Sequence, residues 1–116
     1  MAKKSAGKNP RADMLKGTLD LLVLQTLELQ PMHGIAVAER IHQVTKGTFS
    51  IGPGSLFPAL HRLEQEGWIR GKWGMSEQGR RTKAYTLTAA GRRQLAKELD
   101  QWALITSAVG QVLNRG

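Results

Sequence analysis

Residues 68–87 read WIRGKWGMSEQGRRTKAYTL, and they are the most informative part of the chain about its fold. Two runs have the period of two that is typical of β-strands. Within residues 68–73, Ile69 and Gly71 alternate with Arg70 and Lys72, and within residues 83–87 the larger side chains of Lys83, Tyr85 and Leu87 alternate with the smaller ones of Ala84 and Thr86. The segment between them, residues 74–82, contains glycine and two consecutive arginines. We therefore expect a β-hairpin whose connecting loop is basic.

Three helices are predicted before this hairpin. The first covers residues 13–29, where apolar residues recur at three- and four-residue spacing, and the pair Gln30-Pro31 ends it. After a connector at residues 31–34, the second helix ends before Gly47 and the third closes at Gly67. Residues 48–51, between the second and third helices, form a short run that favours a β-strand.

A fourth helix follows the hairpin, with Thr88 as its N-cap and an end near Asn114. Its apolar residues repeat at alternating steps of four and three, as in a heptad seam, which a single chain would leave exposed. In the first helix, Leu21 and Leu24 fall on the side opposite the main apolar face. We expect a homodimer, because a two-fold dimer buries both surfaces together. The predicted interface comprises Leu21, Leu24, Leu95, Leu99, Trp102, Thr106, Val109 and Leu113.

This order of elements is that of a winged helix-turn-helix domain, a mainly α fold of the α+β class with a two-stranded β wing and a C-terminal dimerisation helix. The predicted boundaries are a basic tail at residues 1–12, a DNA-binding domain at residues 13–88 and the dimerisation helix at residues 89–116. The tail is interpreted as a solvated segment, with a basic arm that grips DNA as the alternative.

The composition favours a nucleic-acid partner. The 116 residues include 17 Lys and Arg against 9 Asp and Glu, which gives a net charge of +8. A domain this basic usually has a polyanionic partner, and DNA is favoured over an anionic membrane. There is no cysteine, no secretory signal pattern and no stretch of membrane-spanning length, all of which favour a soluble protein of the cytosol.

The predicted DNA contacts lie on the third helix and in the hairpin. If Leu56, Leu60 and Leu63 face the core, small and polar residues of the same helix face outward. Among them, Arg62 and Gln65 are suited to read a base edge, while the hairpin cations are suited to phosphates. The candidate contacts are Gly54, Ser55, Phe57, Pro58, His61, Arg62, Gln65, Lys72, Arg80, Arg81 and Lys83.

Plainer interpretations of these residues stay open. Arg62 and Glu66 are spaced to form an exposed pair on the helix, and Arg70 and Lys72 are placed to protect an edge strand from aggregation. At the level of function, one alternative is an architectural, nucleoid-type protein that coats DNA without sequence preference. Another is a module that only dimerises with a different protein.

No residue pattern supports catalysis, a metal site or a cofactor. His33, His42 and His61 lack a recognisable ligand spacing, so no metal is expected. Gly52 and Gly54 do not continue into a dinucleotide fingerprint, and the chain has no P-loop pattern. Ser55 lacks the glycine pattern of a nucleophile elbow. The sequence therefore predicts that the protein is not an enzyme.

The expected dimer has two further implications. Two recognition helices on one face of DNA, about one helical turn apart, require a pseudo-palindromic operator. Trp102 lies in the middle of the seam, where two copies near the dyad would offer a flat aromatic surface to a planar apolar effector. The alternative is that Trp102 is ordinary packing in the dimer core.

Five blocks of sequence resemble the PadR family of bacterial transcriptional regulators. They are LKGTLD at residues 15–20, PMHG at 31–34, GSLFPALHRLE at 54–64, GWI at 67–69 and RRTKAYTLTAAG at 80–91. The resemblance covers about residues 15–102 and implies a dimeric winged-helix repressor of the bacterial cytosol. It further implies that DNA is bound through the third helix and wing, and that the last helix carries the dimer contacts, as in the smaller PadR subgroup.

The sequence departs from the family pattern at three positions. Phe57 stands where the family often has tyrosine, so a phenolic hydrogen bond to phosphate is not available there. Ile35 and Ala84 also replace residues that are commonly aromatic in the family. Some relatives respond to phenolic acids or drugs, but the resemblance carries no particular effector to this chain.

Overall fold

A computed structural model of the protein describes the backbone of residues 10–114 and the side chains of residues 17–114. Helices and strands follow one another as α1 Pro10–Leu29, β1 Met32–His33, α2 Gly34–Val44, α3 Pro53–Gln65, β2 Ile69–Met75, β3 Arg81–Leu87 and α4 Ala89–Leu113. The mainly α fold with a β2–β3 wing is therefore confirmed.

The first helix begins earlier than predicted. α1 starts at Pro10, within the segment that the sequence assigned to the basic tail. Proline is favoured at the first helical position, where its missing N–H needs no partner, but the apolar periodicity on which the prediction relied begins only later. Residues 1–9, the greater part of the predicted tail, lie outside the described residues.

The same helix is central to the core. α2, α3, β3 and α4 all pack against α1, which explains why its sequence is apolar on two sides. Leu24 is 0% exposed and Leu21 is also buried within a single chain. The interpretation of these leucines as a surplus apolar face for a dimer interface is therefore wrong, because this one domain covers both sides of α1.

β3 is the middle strand of an antiparallel sheet with the order β1-β3-β2. The strand predicted at residues 48–51 is wrong, since that segment is irregular and packs Phe49 and Ile51 against the core. The short strand forms instead at Met32 and His33, which pair with Tyr85 and Ala84. Strand pairing depends on where the free edge of β3 lies, which local β-propensity does not reveal.

α3 follows the prediction closely. It starts after Gly52, with Pro53 in its first turn, and Gly67 adopts a φ of +80° just beyond its end. Its predicted inward residues, Leu56, Leu60 and Leu63, are all buried. The opposite face is consequently fixed toward solvent.

α4 begins at the predicted cap, because the Oγ of Thr88 accepts a hydrogen bond from the N–H of Gly91 at 3.0 Å. Leu95 is buried in the core of the same chain, so its predicted role in a dimer interface is wrong. No residue of α4 beyond Leu95 is buried within the described part of the chain. The remaining three-quarters of α4 is thus more exposed than its start.

Candidate nucleic-acid interface

The outward face of α3 is open over most of its length. The predicted contact residues on it that are exposed are Gly54, Ser55, Phe57, Pro58, His61 and Gln65. A Cβ added at Gly54 would meet no atom within 4 Å, so nothing crowds the start of the helix. No side chain caps that end of α3, which leaves the positive end of the helix dipole uncovered. The start of this face is therefore open to solvent, with backbone N–H groups that no side chain caps.

Arg62 differs from its neighbours, because its guanidinium donates a hydrogen bond to Oδ1 of Asp20 on α1. The alternative pairing with Glu66 is therefore wrong. The side chain of Arg62 keeps 43% of its surface exposed, whereas that of Asp20 keeps 20%. Arg62 thus lies at the border of the exposed face of α3 with its charge already paired.

Lys83 is also engaged within the protein. Its Nζ donates a hydrogen bond to Oε1 of Glu64 at 3.0 Å, and the other oxygen of Glu64 accepts the N–H of Gly71 at 3.3 Å. The hydrogen bond to Glu64 raises the pKa of Lys83 above its ordinary value of 10.5. Lys83 therefore ties the wing to α3, although the sequence predicted a cation free for DNA.

The wing presents its remaining cations on different surfaces. Its strands are longer than predicted and place Arg81 opposite Met75, within the sheet and not in the loop. Lys72 pairs with Ala84 in the register, so it points to the face opposite Arg81 and Lys83. Arg80 lies in the tight connection, where its N–H bonds to Oγ of Ser76 at 3.1 Å. Lys72, Arg80 and Arg81 are all exposed.

Trp73 is a functional candidate that the sequence analysis missed. It lies opposite Lys83 in the hairpin, and the guanidinium of Arg81 lies 4.5 Å from the centroid of its ring. The signal was present in the alternating pattern of residues 68–73, which puts Trp73 on the same face as Ile69 and Gly71. A register between the two strands was needed to bring it beside the arginine.

α4 exposes a broad apolar surface beyond Leu95. The exposed residues predicted for the seam are Leu99, Trp102, Thr106, Val109 and Leu113. The structure adds Leu104, Ile105 and Val112, which the strict seam left out and which are also exposed. Leu113 is the most open of these side chains, at 75%. The apolar surface of this helix is therefore wider than a single seam.

A groove of about 380 Å³ runs between α1 and α4 beside Trp102. The groove combines apolar, amide and carboxylate side chains, and its lining consists of Gly17, Thr18, Asp20, Leu21, Glu98, Gln101, Trp102 and Ile105. Trp102 is 45% exposed. The residue predicted to meet an effector thus lies against a concave surface that includes Asp20, the partner of Arg62.

Among the described side chains, those of residues 17–114, no group of three or more histidine, aspartate or glutamate residues is placed to hold a metal ion. No helix within residues 10–114 combines the length and the apolar character needed to cross a membrane.

Comparison with known proteins agrees with this geometry. The chain matches the PadR-like family of transcriptional regulators over residues 23–97. A PadR family transcriptional regulator from Eggerthella lenta is 28% identical in sequence. Its structure superposes with a TM-score of 0.78, and the match covers 90% of this chain and 88% of that chain. A transcriptional regulator from Clostridium thermocellum shares the fold, at 23% identity and a TM-score of 0.79, over 85% of this chain and 96% of that chain.

Curated sequences also include a transcriptional regulator of Mycobacterium tuberculosis, which is 35% identical over 60 residues, or 48% of this chain and 51% of that protein. The family match extends from α1 into α4 and includes all of α2, α3 and the β2–β3 wing. Its members are regulators that bind DNA and are not enzymes. The chain therefore belongs to the PadR-like family of transcriptional regulators.

Proposed function

We propose that the protein is a repressor that acts as a homodimer on a pseudo-palindromic operator and is released by an effector bound beside Trp102. The observation that carries the proposal is the exposed apolar surface of α4 from Leu99 to Leu113. A contiguous apolar surface on a soluble domain is usually an interaction site. A two-fold dimer through this segment buries it and pairs each residue with the same region of the partner.

Such a dimer offers DNA two copies of α3 and of the wing. Lys72, Arg80 and Arg81 are exposed and suited to phosphates, while His61 and Gln65 are suited to base edges. Arg62 reaches DNA only when Asp20 releases it. Two related half-sites on one duplex are expected, because the dimer axis relates the two reading surfaces. Occupation of a promoter by both halves excludes other proteins from it, which favours repression in the bacterial cytosol.

The groove between α1 and α4 supports the effector part of the proposal. Trp102, Leu21 and Ile105 provide apolar contacts for a planar ligand, and the carboxylate of Glu98 favours a ligand that carries positive charge. Because the groove lies between α1 and α4, an occupant that displaces α4 changes the distance between the two wings of the dimer and so releases DNA. The plainer alternative, in which Trp102 only packs in the dimer, predicts no ligand.

The dimer is tested by placing charge on the exposed surface of α4. Leu99→Glu combined with Val109→Glu is expected to give the mass of one chain in light scattering. It should also weaken binding to a two-half-site duplex on the order of 100-fold, because the second half-site contact ceases to be intramolecular. Val44→Glu, at an exposed valine of α2, is the matched control and should keep the dimer mass. A single-chain mass for the unaltered protein, with and without DNA, contradicts the proposal.

The excess of positive charge also fits a second function, that of an architectural protein that binds DNA without sequence preference. Selection of bound fragments from bacterial genomic DNA separates the two. A repressor should enrich a defined inverted repeat and bind it at least ~1,000-fold more tightly than random duplex at the same salt concentration. Equal affinity for enriched and random fragments would identify the architectural function instead.

A further inference from the structure

The wing carries an aromatic ring between two cations. On the face shared by Trp73, Arg81 and Lys83, the guanidinium of Arg81 lies 4.5 Å from the indole centroid and Nζ of Lys83 lies 5.6 Å from it. Trp73 is 55% exposed, so most of its surface is not used to bury the core. The exposed part of the indole is therefore available for contact with the two cations beside it.

One side of this arrangement is fixed to the rest of the domain. Lys83 is held by Glu64 of α3 at 3.0 Å and also lies 5.4 Å from the ring of Tyr85. Gly71 provides the space, since a Cβ at that position would come within 2.2 Å of Cε of Lys83. The indole therefore lies beside Lys83, a cation whose position is set by Glu64 of α3.

The other side of the arrangement is free. Arg81 has no carboxylate partner among the ion pairs of the described residues, and its side chain is exposed. Stacking on an indole occupies the flat face of a guanidinium and leaves its N–H groups at the edge free to donate hydrogen bonds. Arg81 is thus restrained in direction while it keeps its capacity to bind an anion.

We propose that Trp73 is a positioning residue for DNA binding, which holds the guanidinium of Arg81 in place for a phosphate contact. Trp73 acts through Arg81 and makes no essential contact of its own. A long arginine side chain loses rotamer freedom when it binds, and restraint before binding reduces that loss. The inference rests on the proposed DNA interface, and it adds a fixed link from α3 through Glu64, Lys83 and Trp73 to Arg81.

The test compares Trp73→Leu with Trp73→Tyr in binding to the selected duplex. Trp73→Leu is expected to weaken binding about 3-fold to 10-fold, as for loss of one cation–π contact, whereas Trp73→Tyr keeps a π-face and most of the affinity. Met75→Leu is the matched control, because Met75 is an exposed residue opposite Arg81 on the same strand face. Arg81→Lys, which keeps the charge but loses the planar stack, should resemble Trp73→Leu and leaves the indole intact.

A double-variant cycle shows whether Trp73 acts through the arginine. In an Arg81→Ala background, Trp73→Leu should cause no further loss of affinity, because its effect depends on that arginine. Fully additive losses would mean that Trp73 contacts DNA independently, and would overturn the inference. Unchanged binding by Trp73→Leu would overturn it as well.

A measurement without DNA separates this inference from the proposed function. In the free protein, the side-chain resonances of Arg81 should be shifted upfield by the indole ring current, and Trp73→Leu should remove the shift. If the shift is present but the protein binds no duplex, the proposed function fails together with the role of Trp73 in it. If the protein binds duplex but no shift is seen, the inference alone fails.

Discussion

Asp20 of α1 accepts a hydrogen bond from Arg62 of α3, so the central helix of the core is joined directly to the helix that we propose to face DNA. The two residues are 42 positions apart in the chain. The contact puts a negative charge at the border of a surface whose other charged groups are mainly cationic. It also places the same carboxylate in the wall of the groove beside Trp102.

Removal of this carboxylate should strengthen DNA binding. Asp20→Asn frees Arg62 from its ion pair, and we expect the slope of log affinity against log salt concentration to steepen by about 0.9, as for one added phosphate contact. Titration of a fluorescent duplex at several salt concentrations measures the slope. Glu28→Gln is the matched control, because it also removes an ion-paired carboxylate from α1. Glu28 pairs with Arg92 of α4 at 3.7 Å and not with a residue of α3. An unchanged slope in Asp20→Asn would show that Arg62 does not reach DNA.

The fold should lose stability in alkali. The hydrogen bond to Glu64 raises the pKa of Lys83 above 10.5, and burial raises the pKa of Tyr85 above 10.0. In both cases folding favours the protonated form, so the contribution to stability is present below the unfolded pKa and is lost as pH rises through the folded pKa. The free energy of unfolding should therefore fall above about pH 10.

Urea denaturation between pH 8 and pH 12 measures this effect. Tyr85→Phe and Lys83→Met should each flatten the alkaline decline, because each removes one of the two groups. Lys97→Met, at an exposed lysine of α4, is the control and should leave the decline as it is. A decline of the same steepness in all three variants would rule out the assignment to these residues.

Two glycines near the wing should differ in their tolerance of a methyl group. A Cβ at Gly91 would lie 2.0 Å from the backbone oxygen of Trp68, and we expect Gly91→Ala to cost about 3 kcal/mol because the backbone must shift. A Cβ at Gly71 would meet the side chain of Lys83 and no backbone atom, so Gly71→Ala should displace Lys83 from Glu64 and cost less, about 1 kcal/mol. Urea unfolding of both variants measures the order, and a larger cost at Gly71 would contradict it.

Ligand binding in the groove should be visible through Trp102. A planar aromatic cation is expected to quench tryptophan fluorescence with a saturable dependence on concentration, and Trp102→Phe should remove the saturable part. Glu98→Gln should weaken binding about 3-fold to 10-fold through loss of one charge contact at a partly open site. Trp73→Phe, on the wing, is the matched control and should keep the response. Equal quenching of the Trp102→Phe variant would eliminate the proposed site.

The parts of the fold that the sequence predicted correctly are those set by neighbouring residues. The spacing of Leu56, Leu60 and Leu63 identified the buried face of α3, and Thr88 identified the start of α4. Alternation located both strands of the wing, although it underestimated their length. These signals depend on helical and strand periods and on caps, which act over a few residues.

The errors involve contacts between distant segments. β1 was missed because Met32 and His33 become a strand only beside Tyr85 and Ala84. Leu24 was assigned to a partner because a helix sequence does not tell how many neighbours surround it. The engagement of Arg62 by Asp20, and of Lys83 by Glu64, could not be predicted either, since each depends on packing between α3 and another element. The positions of the site residues were predictable, but their charge partners were not.

The two buried residues of α4, Gly91 and Leu95, lie in its first two turns, and no residue from 96 to 114 is buried. The remaining 18 residues, to Leu113, extend about 27 Å at the rise of an α-helix. In a dimer joined through this segment, α4 would transmit rotations of the domain core to the dimer contacts at its far end. A change of about 10° in its angle to the core shifts the far end by about 5 Å, which is comparable to the rise of one helical turn. In the proposed dimer, small adjustments beside Leu95 would therefore change the separation of the two wings enough to move them out of register with the DNA.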